Sequence, residues 1–241
     1  MALCSMSSLI SYSIVFLIAC TTANASFGKS EECIVGVNCN TSPTEEILNL
    51  SKAADDLLKK ANFPSTAERI SEVRATKDAR ELQRFGLYGE YSILNLATLL
   101  KHPVVTEAMN AAQTEEGPTF VDIGSGAGRL MLSASAMANW AAVFGIEGRH
   151  ELHVHAVNAI RHLEQEGSLR SGMVQSIEGN FMEESPEVVK ALSNADVVYL
   201  YATGFETHSD ARIPALSALL ARRLKKGSVV VVVDKFLIGD R

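Results

Sequence analysis

Positive charge is what this chain lacks most plainly. It sets 22 Lys and Arg against 28 Asp and Glu, for a net charge of −6. That balance argues against broad, non-specific attraction to nucleic acid. A long hydrophobic run is missing too. Residues 9–20 form a twelve-residue apolar stretch interrupted by Ser11, Tyr12 and Ser13, too short for a comfortable membrane span. No internal repeat or low-complexity tract is present. Metal-ligand spacing is also absent: His150, His153 and His155 cluster, but His150-Glu151-Leu152-His153 is one residue short of the zinc-protease pattern. These histidines read as a solvated helix face, and no metal is expected. Cysteine is sparse, with four in the chain. Cys33 and Cys39 either close a small disulfide loop, if the chain is exported, or stand as thiols in a flexible linker.

What is present is core. The chain has 241 residues at 47% hydrophobic content, enough for one α/β domain. Its organising stretch is Thr119-Phe120-Val121-Asp122-Ile123-Gly124-Ser125-Gly126-Ala127-Gly128-Arg129. Phe120, Val121 and Ile123 favour a buried strand, introduced by Gly117-Pro118. Three glycines at alternate positions allow a tight turn and close approach of backbone to a ligand. The nearly uncharged run 130–142 then reads as a helix, whose first N–H groups face whatever lies over the loop.

The dinucleotide fingerprint needs a glycine at its sixth position. Counted from Gly124 that position is Arg129, and from Gly126 it is Met131, so the fingerprint fails. No Gly-Lys-Ser/Thr follows, which excludes a P-loop. The remaining pattern, acidic-x-Gly-x-Gly-x-Gly, resembles motif I of class I S-adenosylmethionine-dependent methyltransferases. A second strand, 141–147, ends in Glu147, nineteen residues after Gly128. A carboxylate at that distance can accept both ribose hydroxyls of an adenosine.

Ahead of this core, residues 1–25 stand apart as a signal-like leader. Ala23-x-Ala25 offers a small-residue cleavage site, and the leader reads as a secretory signal peptide cut after Ala25. No Lys or Arg precedes the apolar run, so a wrong gene start or a membrane anchor are the other readings. Such a signal can also begin a two-part plastid address. Asn40-Thr41-Ser42 and Asn49-Leu50-Ser51 fit the glycosylation sequon, meaningful only in a secretory compartment. Residues 26–62 read as linker and helix, and 63–241 as a domain resembling the methyltransferases, with a cofactor core at 85–236. The periodicity predicts a helix over 44–61 with Ile47, Leu50, Ala54, Leu57 and Leu58 inward. It predicts a second helix over 65–84, a third over 92–100, and one over 207–226 with Ile213, Leu216, Leu219, Leu220 and Leu224 inward. Pro214 inside that last helix is an anomaly. Residues 195–200 read as a fourth strand and 228–233 as a fully apolar, central fifth.

Tyr88-Gly89-Glu90 before a helix, then the glycine loop, then Gly145-Ile146-Glu147, then Gly179-Asn180-Phe181 together resemble the disruptor-of-telomeric-silencing family. These are histone-lysine methyltransferases that lack a SET domain. The resemblance spans about 85–236 and implies roles. Tyr88 and Glu90 close over the methionine end of the cofactor; Asp122, Gly124, Gly126 and Gly128 lie beneath it. Glu147 holds the ribose, and Asn180 and Phe181 frame the adenine. Asn180 stands for the family's Asp, Arg129 for a frequent Gln, and Tyr91 for a Thr. After the fourth strand the family carries an Asn pair before Phe-Ala-Phe. This chain has Tyr201-Ala202-Thr203-Gly204-Phe205. The resemblance makes Tyr201, Thr203 and Phe205 the candidates for walling the methyl channel and orienting the nucleophile; packing of the strand end is the plainer reading of the same residues.

The expectation is therefore an α/β fold with a doubly wound, mainly parallel sheet of the Rossmann-like class I type, preceded by N-terminal helices. The sixth and seventh strands of that class are expected to be missing from this sequence, either because the gene model is truncated or because this member dispenses with them, which would leave an open sheet edge. The implied function is methyl transfer from S-adenosylmethionine to a protein lysine of the histone type. The alternatives are a different protein or small-molecule acceptor in a secretory or plastid compartment, or a non-catalytic cofactor-fold protein. The partner is thus a protein substrate or small molecule, with no strong nucleic-acid signal and no stable transmembrane span. The leader points to the secretory pathway or plastid, and the histone-type role to the nucleus.

Overall fold

The segment Ser228–Val233 carries five consecutive valines, and all six of its residues are buried. A run apolar on both faces belongs inside a sheet covered from both sides, and the computed structural model builds that sheet. It describes residues 42–65, 68, 69, 71, 91–112, 114–183, 185–202, 213–233, 235 and 237. It also gives the backbone of two N-terminal strands. In chain order these strands are β1 (Val15–Cys20) and β2 (Ile34–Val37), followed by β3 (Thr119–Ile123), β4 (Ala142–Glu147), β5 (Val174–Glu178), β6 (Val197–Tyr201) and β7 (Ser228–Val233). The helices are α1 (Glu45–Lys60), α2 (Ile93–Leu100), α3 (Pro103–Asn110), α4 (Arg129–Met137), α5 (His150–Gln165), α6 (Pro186–Asn194) and α7 (Pro214–Arg223).

Among the described residues the sheet has seven strands in the order β2-β1-β7-β6-β3-β4-β5. Strands β3 to β7 pair in parallel. The chain runs outward from β3 through β4 to β5, then returns to lay β6 on the other side of β3. The order therefore reverses between β3 and β4 on one side and β6 on the other, and at such a switch point the crossovers diverge and leave a crevice. One sheet face presents Phe120, Val143, Val174, Val197, Tyr199, Val229 and Val231 to helices α1 to α5. The opposite face presents Val121, Ile123, Ile146, Val198, Leu200, Val230 and Val232 to α6 and α7. The alternation follows from the period of two along each strand.

Local chemistry fixes most boundaries. Thr44 caps α1 through its side chain, with Glu45 and Glu46 in the first turn and Lys59 and Lys60 in the last, as the helix dipole favours. Ala54 and Leu58 on its predicted inward face are buried, and Ile47, Leu50 and Leu57 pack partly buried beside them. Ser92 caps α2. α3 is unanticipated; Pro103 in its first turn and the His102 side chain accepting from Val104 N are its start signals.

Four expectations are corrected. The helix read over 130–142 ends at Met137, because residues 138–141 turn to place Trp140 in the core, where its Nε1 donates to Ala134 O at 2.7 Å. Pro214 is no anomaly: it lies in the first turn of α7, where its missing N–H is harmless. Residues 207–212 of that expected helix lie outside the described residues. So does all of the expected 65–84 helix except the described positions 65, 68, 69 and 71, of which the last three are helical. The histidines are not a purely solvated face: only His150 is exposed, while His153 is largely covered and its Nδ1 lies 2.8 Å from Ser176 Oγ.

The fourth correction concerns the sheet edge. Strand β1 runs antiparallel along β7 from Val15↔Val233 to Cys20↔Ser228, and β2 pairs antiparallel with β1. The edge of β7 expected to be open is therefore covered by residues 15–20, from the apolar core of the signal-like leader. A short apolar run is compatible with a signal sequence or a buried strand, and periodicity alone does not separate them.

Candidate active site

The glycine loop between β3 and α4 hangs from the end of β4. Gly124 and Ser125 both donate to Ile146 O, at 2.9 and 3.1 Å, and Gly128 N donates to Ser125 O at 2.9 Å. Gly128 takes φ +86, and a Cβ there would lie 3.0 Å from the Ala156 Cβ on α5. Backbone conformation and space thus both demand glycine. Gly145 is needed for another reason: its Cβ would sit 2.7 Å from Ser125 Oγ, so a side chain on β4 would push the loop away.

Glu147 fastens the arrangement. It is 6% exposed. Its Oε2 accepts from Gly126 N at 2.7 Å and its Oε1 accepts from Arg149 N at 2.8 Å. Burial raises its pKa, while the Arg149 and Gly126 backbone bonds and the Arg149 charge pull it back. Its backbone carbonyl accepts from Gly179 N at 2.8 Å, which brings the end of β5 alongside.

Asp122 is the electrostatic centre. It is 3% exposed, and its Oδ2 has no hydrogen-bond partner among the described residues. Burial, and secondarily the Glu147 charge, push its pKa up to about 8. The carboxyl therefore holds a proton at neutral pH until a cationic partner favours the carboxylate. It lines a cleft with Gly124, Ser125 and Gly126 on the loop, Ile93 and Leu96 from α2, and Tyr91, Tyr199 and Tyr201. The Tyr91 ring centroid lies 5.6 Å from that of Tyr199 and 5.8 Å from that of Tyr201, both tilted near 50°. Arg129, Leu130 and Ser133 of α4 complete the wall.

The structure thus brings together Asp122, Gly124, Gly126 and Tyr201 of the sequence-predicted site. Glu147 and Gly128 stand behind the loop and shape it. Asn180 and Phe181 lie beyond β5, on the Glu147 side. Asn180 Oδ1 accepts from Met182 N at 2.9 Å, and Phe181 packs against the core of the α6–α7 face. Tyr88, Glu90, Thr203 and Phe205 lie outside the described residues. Sequence reasoning missed Tyr199 as a cleft residue. The signal was available: it stands two residues before Tyr201 on one strand, and period two puts both on one face.

The group implied by the sequence resemblance fits these residues. S-adenosylmethionine carries an α-ammonium in its amino-acid end and a sulfonium beside it, cationic groups of the kind that an unpartnered, buried Asp122 oxygen would accept. Glycines at 124 and 126, both with positive φ, let a ligand approach the backbone closely, while both Glu147 oxygens already accept from backbone N–H groups.

Comparisons with known proteins bear on this site. No curated protein matches the chain. Among solved structures the chain is similar to an RNA methyltransferase from Salinibacter ruber in complex with S-adenosyl-L-homocysteine, at 25% identity. That match covers 54% of this chain and 73% of the other, with TM-score 0.35. A protein-L-isoaspartate O-methyltransferase (PCMT) from Plasmodium falciparum, also in complex with S-adenosyl-L-homocysteine, matches at 15% identity over 79% and 84%, with TM-score 0.41. A precorrin-6y C5,15-methyltransferase from Geobacter metallireducens matches at 19% identity over 56% and 63%, with TM-score 0.33. The strand order, rather than these likenesses, carries the fold assignment. The family described as histone methylation protein DOT1 matches residues 81–239 of the 241, a span holding the whole cleft. On that match the chain belongs to the DOT1 family of S-adenosylmethionine-dependent methyltransferases.

Proposed function

We propose that the chain methylates the side-chain amine of a protein lysine, with a histone as the substrate class the family description suggests. The observation that carries this reading is the unpartnered Asp122 oxygen in a cleft floored by the glycine loop, within the residues matched to the family. Bound S-adenosylmethionine supplies a methyl group made electrophilic by its sulfonium.

The chain's own residues do the rest. Asp122 faces the cationic amino-acid end, Glu147 takes the ribose hydroxyls while keeping Gly126 in place, and the loop glycines set the depth of binding. Tyr201, the last residue of β6, stands at the carboxyl end of the sheet, the side on which ligands of this fold bind. Methyl transfer to an amine needs in-line approach of a neutral nitrogen and exclusion of water. The Tyr91–Tyr199–Tyr201 wall offers apolar surface for that purpose. Thr203 and Phe205 follow Tyr201 in sequence and are proposed to continue the channel, with Tyr88 and Glu90 proposed to close it.

A second reading has an observation of its own. Tyr91 and Tyr201 replace a Thr and an Asn of the family pattern, which favours a protein or small-molecule acceptor other than a histone. The signal-like leader would direct such an enzyme to a secretory or plastid compartment, and its cleavage after Ala25 would remove β1 from the sheet. A protein that binds the cofactor and transfers nothing is the third possibility.

The test incubates the full chain with radiolabelled S-adenosylmethionine and, separately, nucleosomes, free histones and a panel of non-histone proteins. Mass spectrometry then locates the modified residue. Label on a histone lysine supports the proposal. Label confined to non-histone acceptors supports the second reading, and cofactor binding without transfer to any acceptor would defeat the catalytic proposal.

A further inference from the structure

The two family departures nearest the reaction, at positions 91 and 201, are distant in sequence and meet in space. Tyr91 precedes α2 and Tyr201 ends β6, yet their ring centroids are 5.8 Å apart. Tyr199 adds a third ring 5.6 Å from Tyr91. It is 1% exposed and pairs in register with Asp122 on β3. Laterally paired residues share a sheet face, so the rings and the Asp122 carboxyl belong to one wall. All three tyrosines line the same cleft as the glycine loop. Each replacement alone would read as drift. Two that touch each other, backed by a third ring and a buried acid, form a surface with a chemistry of its own.

That chemistry favours cations. Aromatic faces carry the negative lobe of the ring quadrupole and attract ammonium groups, most strongly where water is excluded. A hydroxyl, a carboxylate or a neutral heterocycle gains nothing comparable. We propose that Tyr91, Tyr199 and Tyr201 form an aromatic wall that captures the ammonium head of the methyl acceptor as it docks, before that head gives its proton to solvent and attacks as the neutral amine, which makes Tyr91 and Tyr201 a coupled pair of specificity residues. The inference rests on the methyltransferase reading and narrows it to amine acceptors. The cofactor's sulfonium is the other cation that could meet these rings, so the test separates the two.

The full chain, saturated with S-adenosylhomocysteine, is titrated with choline and with its uncharged isostere 3,3-dimethylbutan-1-ol. The readout is calorimetry or ligand-observed NMR. S-adenosylhomocysteine lacks the sulfonium, so a preference for choline reports the acceptor side. The wall predicts choline binding roughly tenfold tighter than the isostere. Tyr91→Leu and Tyr201→Leu should each abolish the preference, while Tyr91→Phe and Tyr201→Phe keep it, since the ring rather than the hydroxyl does the work. Cooperative urea unfolding followed by Trp140 fluorescence shows that the variants are folded.

Equal affinity for choline and isostere would overturn the proposal. So would an unchanged preference in both leucine variants. If the leucine variants alter only the ratio of S-adenosylmethionine to S-adenosylhomocysteine affinity, the rings serve the sulfonium and the acceptor assignment falls. Should the chain discriminate choline without binding either cofactor form, the aromatic site stands and the cofactor reading is the one that fails.

Discussion

Glu147 Oε2 accepts a hydrogen bond from Gly126 N at 2.7 Å across 21 residues of sequence. The residue expected to hold a ribose is therefore also the residue that fastens the glycine loop to the second core strand. On the proposed ribose role, cofactor recognition and loop position are coupled through one carboxylate.

Replacing Glu147 by Ala leaves the Gly126 and Arg149 N–H groups without their acceptors. Two buried donors lost together should cost about 2–4 kcal/mol of stability. Glu147→Gln keeps one side-chain oxygen and should lose about half as much. Trp140, the single tryptophan, is fully buried, so its fluorescence during urea unfolding reads both values.

Gly145→Ala tests the packing behind the loop. The added Cβ would sit 2.7 Å from Ser125 Oγ and 2.8 Å from Ser125 Cβ, and overpacking of this kind costs about 1–3 kcal/mol. The Cβ would also meet Met131 Sδ on α4, and since Ser125 belongs to the loop, affinity for S-adenosylhomocysteine should fall along with stability. A stable variant with unchanged affinity would show that the loop is not held from behind.

Asp122 predicts a pH dependence with a definite sign. Its folded-state pKa of about 8 lies above the unfolded value near 3.9. Between those values the folded chain retains a proton that the unfolded chain has lost. Stability without ligand therefore falls as pH rises from about 4 to about 8. Glu147, also raised by burial, adds to the fall, and Asp122→Asn removes the Asp122 share. An ammonium group set against it reverses the preference of the carboxyl. Affinity for S-adenosylhomocysteine should rise from pH 5 to 7, by up to about tenfold per unit, because the ligand's α-ammonium keeps its charge throughout that range. Calorimetry across that range checks the direction.

Much of this was legible in sequence, and the failures have physical causes. The glycine loop, the acid nineteen residues on and the apolar strands were readable because only a few residue types satisfy buried parallel strands and tight turns. Pro214 misled because a proline looks the same inside a helix as at its first turn, until the start is known. The strand at residues 15–20 was not legible either, since a short apolar run suits a signal sequence and a sheet strand equally. The tyrosine wall was invisible for a third reason: Tyr91 and Tyr201 meet only through the fold.

The pairing of β1 with β7 makes a prediction of its own. Removing residues 1–25 strips Val15–Cys20 from the edge of β7. An unpaired, apolar strand edge recruits other chains, so the shortened protein should self-associate more than the full chain. Light scattering on both forms would detect it, and identical behaviour would mean that β1 contributes nothing to the sheet.

The most direct test of the central claim is calorimetric titration of the full chain with S-adenosylhomocysteine, beside Gly126→Arg and the remote surface variant Lys190→Ala. The cofactor cleft described above predicts saturable binding with one site per chain, lost in Gly126→Arg and intact in Lys190→Ala. A chain that unfolds cooperatively by Trp140 fluorescence and yet binds nothing would contradict it. So would binding that Gly126→Arg leaves untouched.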